Sequence, residues 1–186
     1  MKASTITILV VFLIGGSCKE MDPVELIFNG GGELGFGFPS AWDYHDGWGA
    51  YKVTWENQPC HSGSRSFHIS TNVQSPDSSF WAQQRCRDIP RGKALTLKAM
   101  VKGNLVGPGI RLAIRCDDAS SSLISPGVQF ISTEGSSSIT GTFDWTEYSV
   151  QIAEVSPAAT CTWIFLVYLP NTTGEVYFDD VSLVHY

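Results

Sequence analysis

Charge is scarce in this chain. Asp, Glu, Lys and Arg make up only 16% of its 186 residues, and the net charge is −6. No block of Lys or Arg occurs, so the clustered positive charge that grips phosphate is missing and nucleic acid is not expected as a partner. No segment repeats its apolar residues at the period of a helix. No apolar run approaches the roughly 20 residues needed to span a bilayer. Catalytic signatures are missing too: there is no H-E-x-x-H, no G-x-S-x-G and no phosphate-cradling glycine loop. His45, His61, His68 and His185 are scattered, and Asp117, Asp118, Glu134, Asp144 and Glu147 fall in turns or at strand edges. The expectation is a domain without catalytic residues. A glycosidase pair drawn from distant strands keeps a small lyase or hydrolase as the alternative.

What is present points to strands. Hydrophobic residues at 43% are enough for a core. The 18 glycines and 9 prolines punctuate short runs of β-branched and aromatic residues. Runs at 26–28, 66–70, 80–86, 94–102, 110–116, 128–131, 147–152, 162–169 and 176–184 read as strands, with an irregular Gly- and Trp-rich loop over 30–49. The fold class this predicts is an all-β antiparallel sandwich or barrel. Within it, Ile110, Leu112 and Ile114 alternate with Arg111, Ala113 and Arg115, the period of a strand with one buried face.

The first residues read as an export signal: Lys2, an apolar run from Ile6 to Ile14, then Gly15, Gly16, Ser17 and Cys18. Cys18 resembles the lipidated cysteine of bacterial lipoproteins, although Gly15 stands where that pattern usually has Leu; signal cleavage without a lipid is the alternative. With Lys19 after it, the resemblance implies an outer-membrane or cell-surface lipoprotein. The expected organisation is a leader over 1–18, a tether over 19–25 and one domain over 26–186. Cys60, Cys86, Cys116 and Cys161 form an even set, as in two disulfides of an exported protein. Zinc is disfavoured because no pair has C-x-x-C spacing. Asn171-Thr172-Thr173 is a glycosylation acceptor only in a eukaryotic secretory pathway.

Four motifs carry a resemblance. Asn29-Gly30-Gly31-Gly32-Glu33 resembles the opening of β-sandwich carbohydrate-binding modules of the family 4/9/22 type, with Gly32 in place of their Phe. His61-Ser62-Gly63-Ser64 is similar to their second landmark. Asp144-Trp145-Thr146 with Tyr148-Ser149-Val150 is similar to the third, and Val176 to Leu183 to their closing strand. The resemblance implies a two-sheet antiparallel jelly roll with the strands at 80–86, 162–169, 110–116 and 128–131 in one sheet. It implies Cys116 paired with Cys161 and Cys60 with Cys86, among three possible connectivities. It also implies a structural Ca²⁺ held by Glu33 and Asp179 with carbonyls near Ser62 and Ser64. The implied function is non-catalytic binding of a polysaccharide; an adhesive or structural surface domain is a further alternative.

If Cys86 and Cys116 turn inward to their bridges, alternation turns Trp81, Gln83, Arg85, Arg111, Arg115, Gln129 and Tyr168 outward onto one sheet face. A flat ring packs on a pyranose, and amides and guanidinium groups meet its hydroxyls. Three arginines add an expectation of an acidic glycan. Trp42, Tyr44, His45, Trp48 and Tyr51 form a second candidate site in the large loop, or else cover the sandwich edge.

Overall fold

The computed structural model describes residues 22–121, 127–133 and 139–186. The expected leader with its Cys18, and Glu134 and the 136–138 serines, lie outside them. The described residues form ten strands and no helix: β1 (Val24–Glu25), β2 (Asp43–His45), β3 (Lys52–Glu56), β4 (Ser66–Thr71), β5 (Ser79–Arg85), β6 (Leu95–Asp117), β7 (Gln129–Ser132), β8 (Ile139–Ile152), β9 (Cys161–Tyr168) and β10 (Thr173–His185). All pairings are antiparallel.

The chain is an all-β jelly-roll sandwich whose two sheets share one strand. β6 pairs with β10 and β8 through its first half and with β9 and β7 through its second. The first sheet runs β3-β4-β10-β6-β8, with β1 on the end of β10; the second runs β2-β5-β9-β6-β7. The second matches the four-strand sheet that the resemblance implied. The crossing is made by Gly107-Pro108-Gly109. Gly109 has φ 87°, and a Cβ there would lie 2.1 Å from the Ile139 carbonyl oxygen, so no other residue fits the bend.

Both halves of β6 alternate as the sequence predicts. Leu95, Leu97, Ala99 and Val101, then Ile110, Leu112 and Ile114, are buried against Phe67, Ile69, Ile164, Leu166, Val176 and Phe178. The sequence reading missed β3, whose Val53 and Trp55 face the core side of an edge strand, and it split β6 in two. Val24 and Glu25, read as tether, pair with His185 and Val184.

The disulfide pairing is corrected. One bridge joins Cys86 to Cys161, while Cys60 and Cys116 are free. Arg85 stands opposite Thr162 in the β5–β9 ladder, so the next residues along, Cys86 and Cys161, face one another directly. Cys116 stands opposite Thr162 and points into the core, too far round the strand to reach Cys161.

Candidate functional site

The bridge decides which way two strands face. Cys86 belongs to the phase of β5 that carries Phe80 and Ala82, and Cys161 to the phase of β9 that carries Trp163, Phe165 and Val167. Directly paired residues share a face. Phe165 is opposite Ala82 and Ala113, Val167 is opposite Phe80 and Arg111, and Trp163 is opposite Arg115. These side chains, with the bridge at one end, form the outer surface of the second sheet.

On that surface lies a groove of about 640 Å³, walled by Phe80, Trp163, Phe165, Arg115, Asp43, His45 and Trp48. A neighbouring depression of about 590 Å³ continues it past Phe80, Phe165 and Arg115 to Arg111, Phe130 and Val167. The rings hold each other in place. Trp163 stacks with Phe165 at 6.0 Å and 15°, and Phe80 meets Phe165 edge-on at 5.5 Å. His45 lies 5.4 Å from Phe80 and meets Trp48 edge-on, also at 5.4 Å. Trp48 is 86% exposed on a backbone with φ 59°, a ring held out into solvent by a turn. Asp117 orders the polar side: one carboxylate oxygen accepts from Arg115 Nε at 2.7 Å and the other from the Trp163 indole at 3.1 Å. The Arg111 guanidinium lies 5.8 Å from the Phe130 ring centre.

Of the expected ligand set, Arg111 and Arg115 lie on this face. The others are corrected. Trp81 is 1% exposed, packed against Phe67 at 5.3 Å. Tyr168 is fully buried, its hydroxyl donating to the Gly174 carbonyl at 3.1 Å. Gln83 is buried and pairs through both ends of its amide with the backbone of Phe28. Arg85 donates to the carbonyls of Leu26 and Arg87 and to Asp88. Gln129 clamps the 154–156 loop, donating to the Glu154 carbonyl and accepting from Ser156 N. For the β5 and β9 residues the cause is the assumption that Cys86 and Cys161 turned inward. Reversing Cys86 reverses β5, and the paired β9 with it. Gln129, set outward against Val128 and Phe130, instead pairs with the core-facing Cys116. The second candidate loop divides: Trp42 and Tyr51 are core, Tyr44 packs against Trp81 and Phe38, and His45 and Trp48 flank the groove.

The expected calcium ligands do come together, but as a clamp on the 60–65 loop. Glu33 Oε1 accepts from Ser64 N at 2.9 Å and Arg65 N at 3.0 Å, and Oε2 accepts from the Ser64 hydroxyl at 2.8 Å. Asp179 Oδ2 accepts from His61 N at 2.7 Å and Ser62 N at 3.0 Å, and Oδ1 from Asp180 N. Asp180 takes the His61 ring nitrogen at 2.6 Å and the Ser62 hydroxyl at 2.5 Å. Ser62 and Ser64 thus present N–H and O–H donors to the carboxylates. The Glu33 and Asp179 carboxylates each carry three donors on their roughly four lone-pair sites, and those hydrogen bonds tie the loop down. Among the described residues no three His, Cys, Asp or Glu side chains gather as a metal site. Burial pushes the Asp179 carboxyl above its ordinary range despite its backbone donors. At Glu33 burial pulls the same way, but the Ser64 and Arg65 donors outweigh it and hold the carboxyl low.

No family model matches the chain, and no curated protein matches it. Solved structures do. A CBM22 xylan-binding domain from Paenibacillus barcinonensis aligns with TM-score 0.56 and 11% identity over 81% of this chain and 88% of its own.

The fold is shared with carbohydrate-binding modules.

TmCBM61, solved with β-1,4-galactotriose, aligns with TM-score 0.53 and 16% identity over 88% of this chain and 99% of its own. The enzymatically active domain of tailspike protein 4 from bacteriophage CBA120 aligns with TM-score 0.63 and 21% identity over 86% of this chain. There the chain spans about a fifth of the matched protein, 21%.

Proposed function

We propose that this domain binds a polysaccharide, without cleaving it, along the groove on the outer face of the β2-β5-β9-β6-β7 sheet. The observation that carries the reading is the ordered run of Trp163, Phe165 and Phe80 beside Arg115 and Asp117. Rings held by one another present flat apolar area to a sugar, and the flanking charged groups meet its hydroxyls at little entropic cost. The fold shared with a xylan-binding domain and a galactotriose-binding module supports it.

The charges favour recognition of hydroxyls over recognition of acid groups. Arg85 is occupied away from the groove, and Arg115 is balanced by Asp117, with Asp43 across from it. Asp117 is also engaged by Trp163, which supports binding rather than acid–base turnover. Export belongs to the same proposal, supported by the Cys86–Cys161 bridge, since disulfides persist in oxidising compartments; a lipid anchor at Cys18 is proposed with it on the sequence pattern alone.

The test is affinity electrophoresis through gels containing xylan, galactan and uncharged or carboxylated analogues. Trp163→Ala is expected to abolish retardation, a loss of at least tenfold in affinity, with the melting temperature held within a few degrees. Unchanged retardation of Trp163→Ala in every gel that slows the parent protein would overturn the assignment.

A further inference from the structure

The opposite face of the sandwich carries a second built surface, unlike the first in chemistry. Lys52, Ser70, Glu175, Asn104 and Thr142 are successive cross-strand partners, one from each of β3, β4, β10, β6 and β8. Five strands spaced about 4.8 Å apart make this row about 19 Å long. A second row lies beside it: Thr54, His68, Tyr177 and Lys102 are likewise cross-strand partners. It ends at Asp144, whose carboxylate accepts from Lys102 Nζ at 2.7 Å.

The rows are tied together and hollowed. The Thr142 hydroxyl donates to Asn104 Oδ1 at 2.8 Å, and the Tyr177 hydroxyl donates to Glu175 Oε2 at 3.0 Å. The Tyr177 ring stacks on His68 at 4.4 Å and 18°. Two depressions, of about 620 and 380 Å³, meet at Asn104 and Glu175 and form one trough. His68 lies beneath it, only 4% exposed. Its Nδ1 meets the Thr54 hydroxyl at 2.9 Å, but Nε2 has no hydrogen-bond partner and faces the Glu175 carboxylate at 3.8 Å. That nitrogen is closed to solvent, so His68 supports the row from below through Tyr177 and Glu175 and leaves ligand contact to the exposed Asn104, Glu175 and Lys52.

We propose that this trough is a second saccharide site, selective for an uncharged glycan, and that the domain therefore bridges two glycan chains. Amide, carboxylate, hydroxyl and ammonium groups alternate across it at the strand spacing, which suits a ligand with hydroxyls of both polarities along its length. Glu175 and Asp144 oppose an anionic chain, and Lys52 and Lys102 balance them. The two surfaces face opposite ways, so one short oligosaccharide does not span both, and the second contact becomes effectively intramolecular only where the two glycan segments belong to one polymer or matrix. The trough does not depend on the aromatic groove for any of its residues.

The experiment is amide-resolved NMR titration of the described domain with xylohexaose, β-1,4-galactotriose and other uncharged hexasaccharides at millimolar concentration. We expect shifts at Asn104 and Glu175, and at Asn72 and Gly174, which also line the trough, that persist in Trp163→Ala. Asn104→Ala and Glu175→Gln, both at exposed positions, should weaken those shifts at least tenfold and leave the groove's shifts in place. No shift in the trough with any of these sugars overturns the second site. So does a trough response that vanishes with Trp163→Ala. Loss of the groove's response alone counts against the first site, and with it the bridging, and leaves the second site standing.

Discussion

Removing the Cys86–Cys161 bridge tests the frame on which both surfaces rest. The bridge closes a loop with a sequence separation of 75 residues, spanning all of β6, β7 and β8. In the chain-entropy treatment, a loop of that length restricts the unfolded ensemble by about 4.5 kcal/mol at 25 °C. The measured value should be lower, about 2–4 kcal/mol, because a denatured chain retains some structure. For a domain of this size that corresponds to a fall in melting temperature of roughly 5–15 °C. The strands on either side are already laddered from Ser79 to Arg85, so the bridged face should keep its register and lose only stability. The comparison is urea unfolding of the parent against Cys86→Ser/Cys161→Ser, read from both midpoint and slope. Cys60→Ser serves as the control at a free cysteine and should change stability by less than about 1 kcal/mol. Non-reducing peptide maps should show the Cys86–Cys161 pair, with Cys60 labelled in the native state and buried Cys116 only after unfolding. A double variant as stable as the parent would refute the loop argument, and a map joining Cys116 to Cys161 would refute the outward placement of Trp163.

Three further outcomes follow from the same geometry. Trp81→Ala should cost about 3–5 kcal/mol by opening the core, whereas Trp163→Ala should cost far less and act on binding; thermal melts separate the two. Asp179→Ala strips an acceptor from His61 N, Ser62 N and Asp180 N, each worth about 1–3 kcal/mol when left unpaired; a variant that melts with the parent would contradict the clamp. Burial holds His68 below its ordinary value of 6.5, so the unfolded chain takes up a proton that the folded one refuses. Stability should therefore fall as pH drops through about 6.5. That slope should disappear in His68→Gln, and a slope unchanged in the variant would show that another group causes it.

A different sign applies to the two clamp carboxylates. Glu33, held low, contributes stability at neutral pH that is lost as pH falls below its ordinary 4.5. Asp179, pushed high, does the reverse: its ionisation works against the fold as pH rises above 3.8. Acid unfolding curves of Glu33→Gln and Asp179→Asn should consequently bend in opposite directions from the parent.

The sequence by itself determined the class of fold and the facing of one strand. In β6 the split is clean, with Ile110, Leu112 and Ile114 against Arg111 and Arg115, so burial has only one way to turn it. The turn residues fixed most strand boundaries, and the four motifs indicated the jelly roll. In β5 and β9 both phases are apolar or mixed: Trp81 competes with Phe80, and Ile164 and Leu166 compete with Trp163 and Phe165. Alternation is then silent about which set is buried. Tertiary structure decided it through register, by placing Cys86 opposite Cys161 and Trp163 opposite Arg115 on strands whose order in the sheet differs from their order in the chain. The polar rows of the other sheet were hidden for the same reason, since Lys52, Glu175 and Asn104 are neighbours only across hydrogen-bonded ladders. Local pattern reports which residues a strand can bury; only the pairing of distant strands selects the face that is left to meet a ligand.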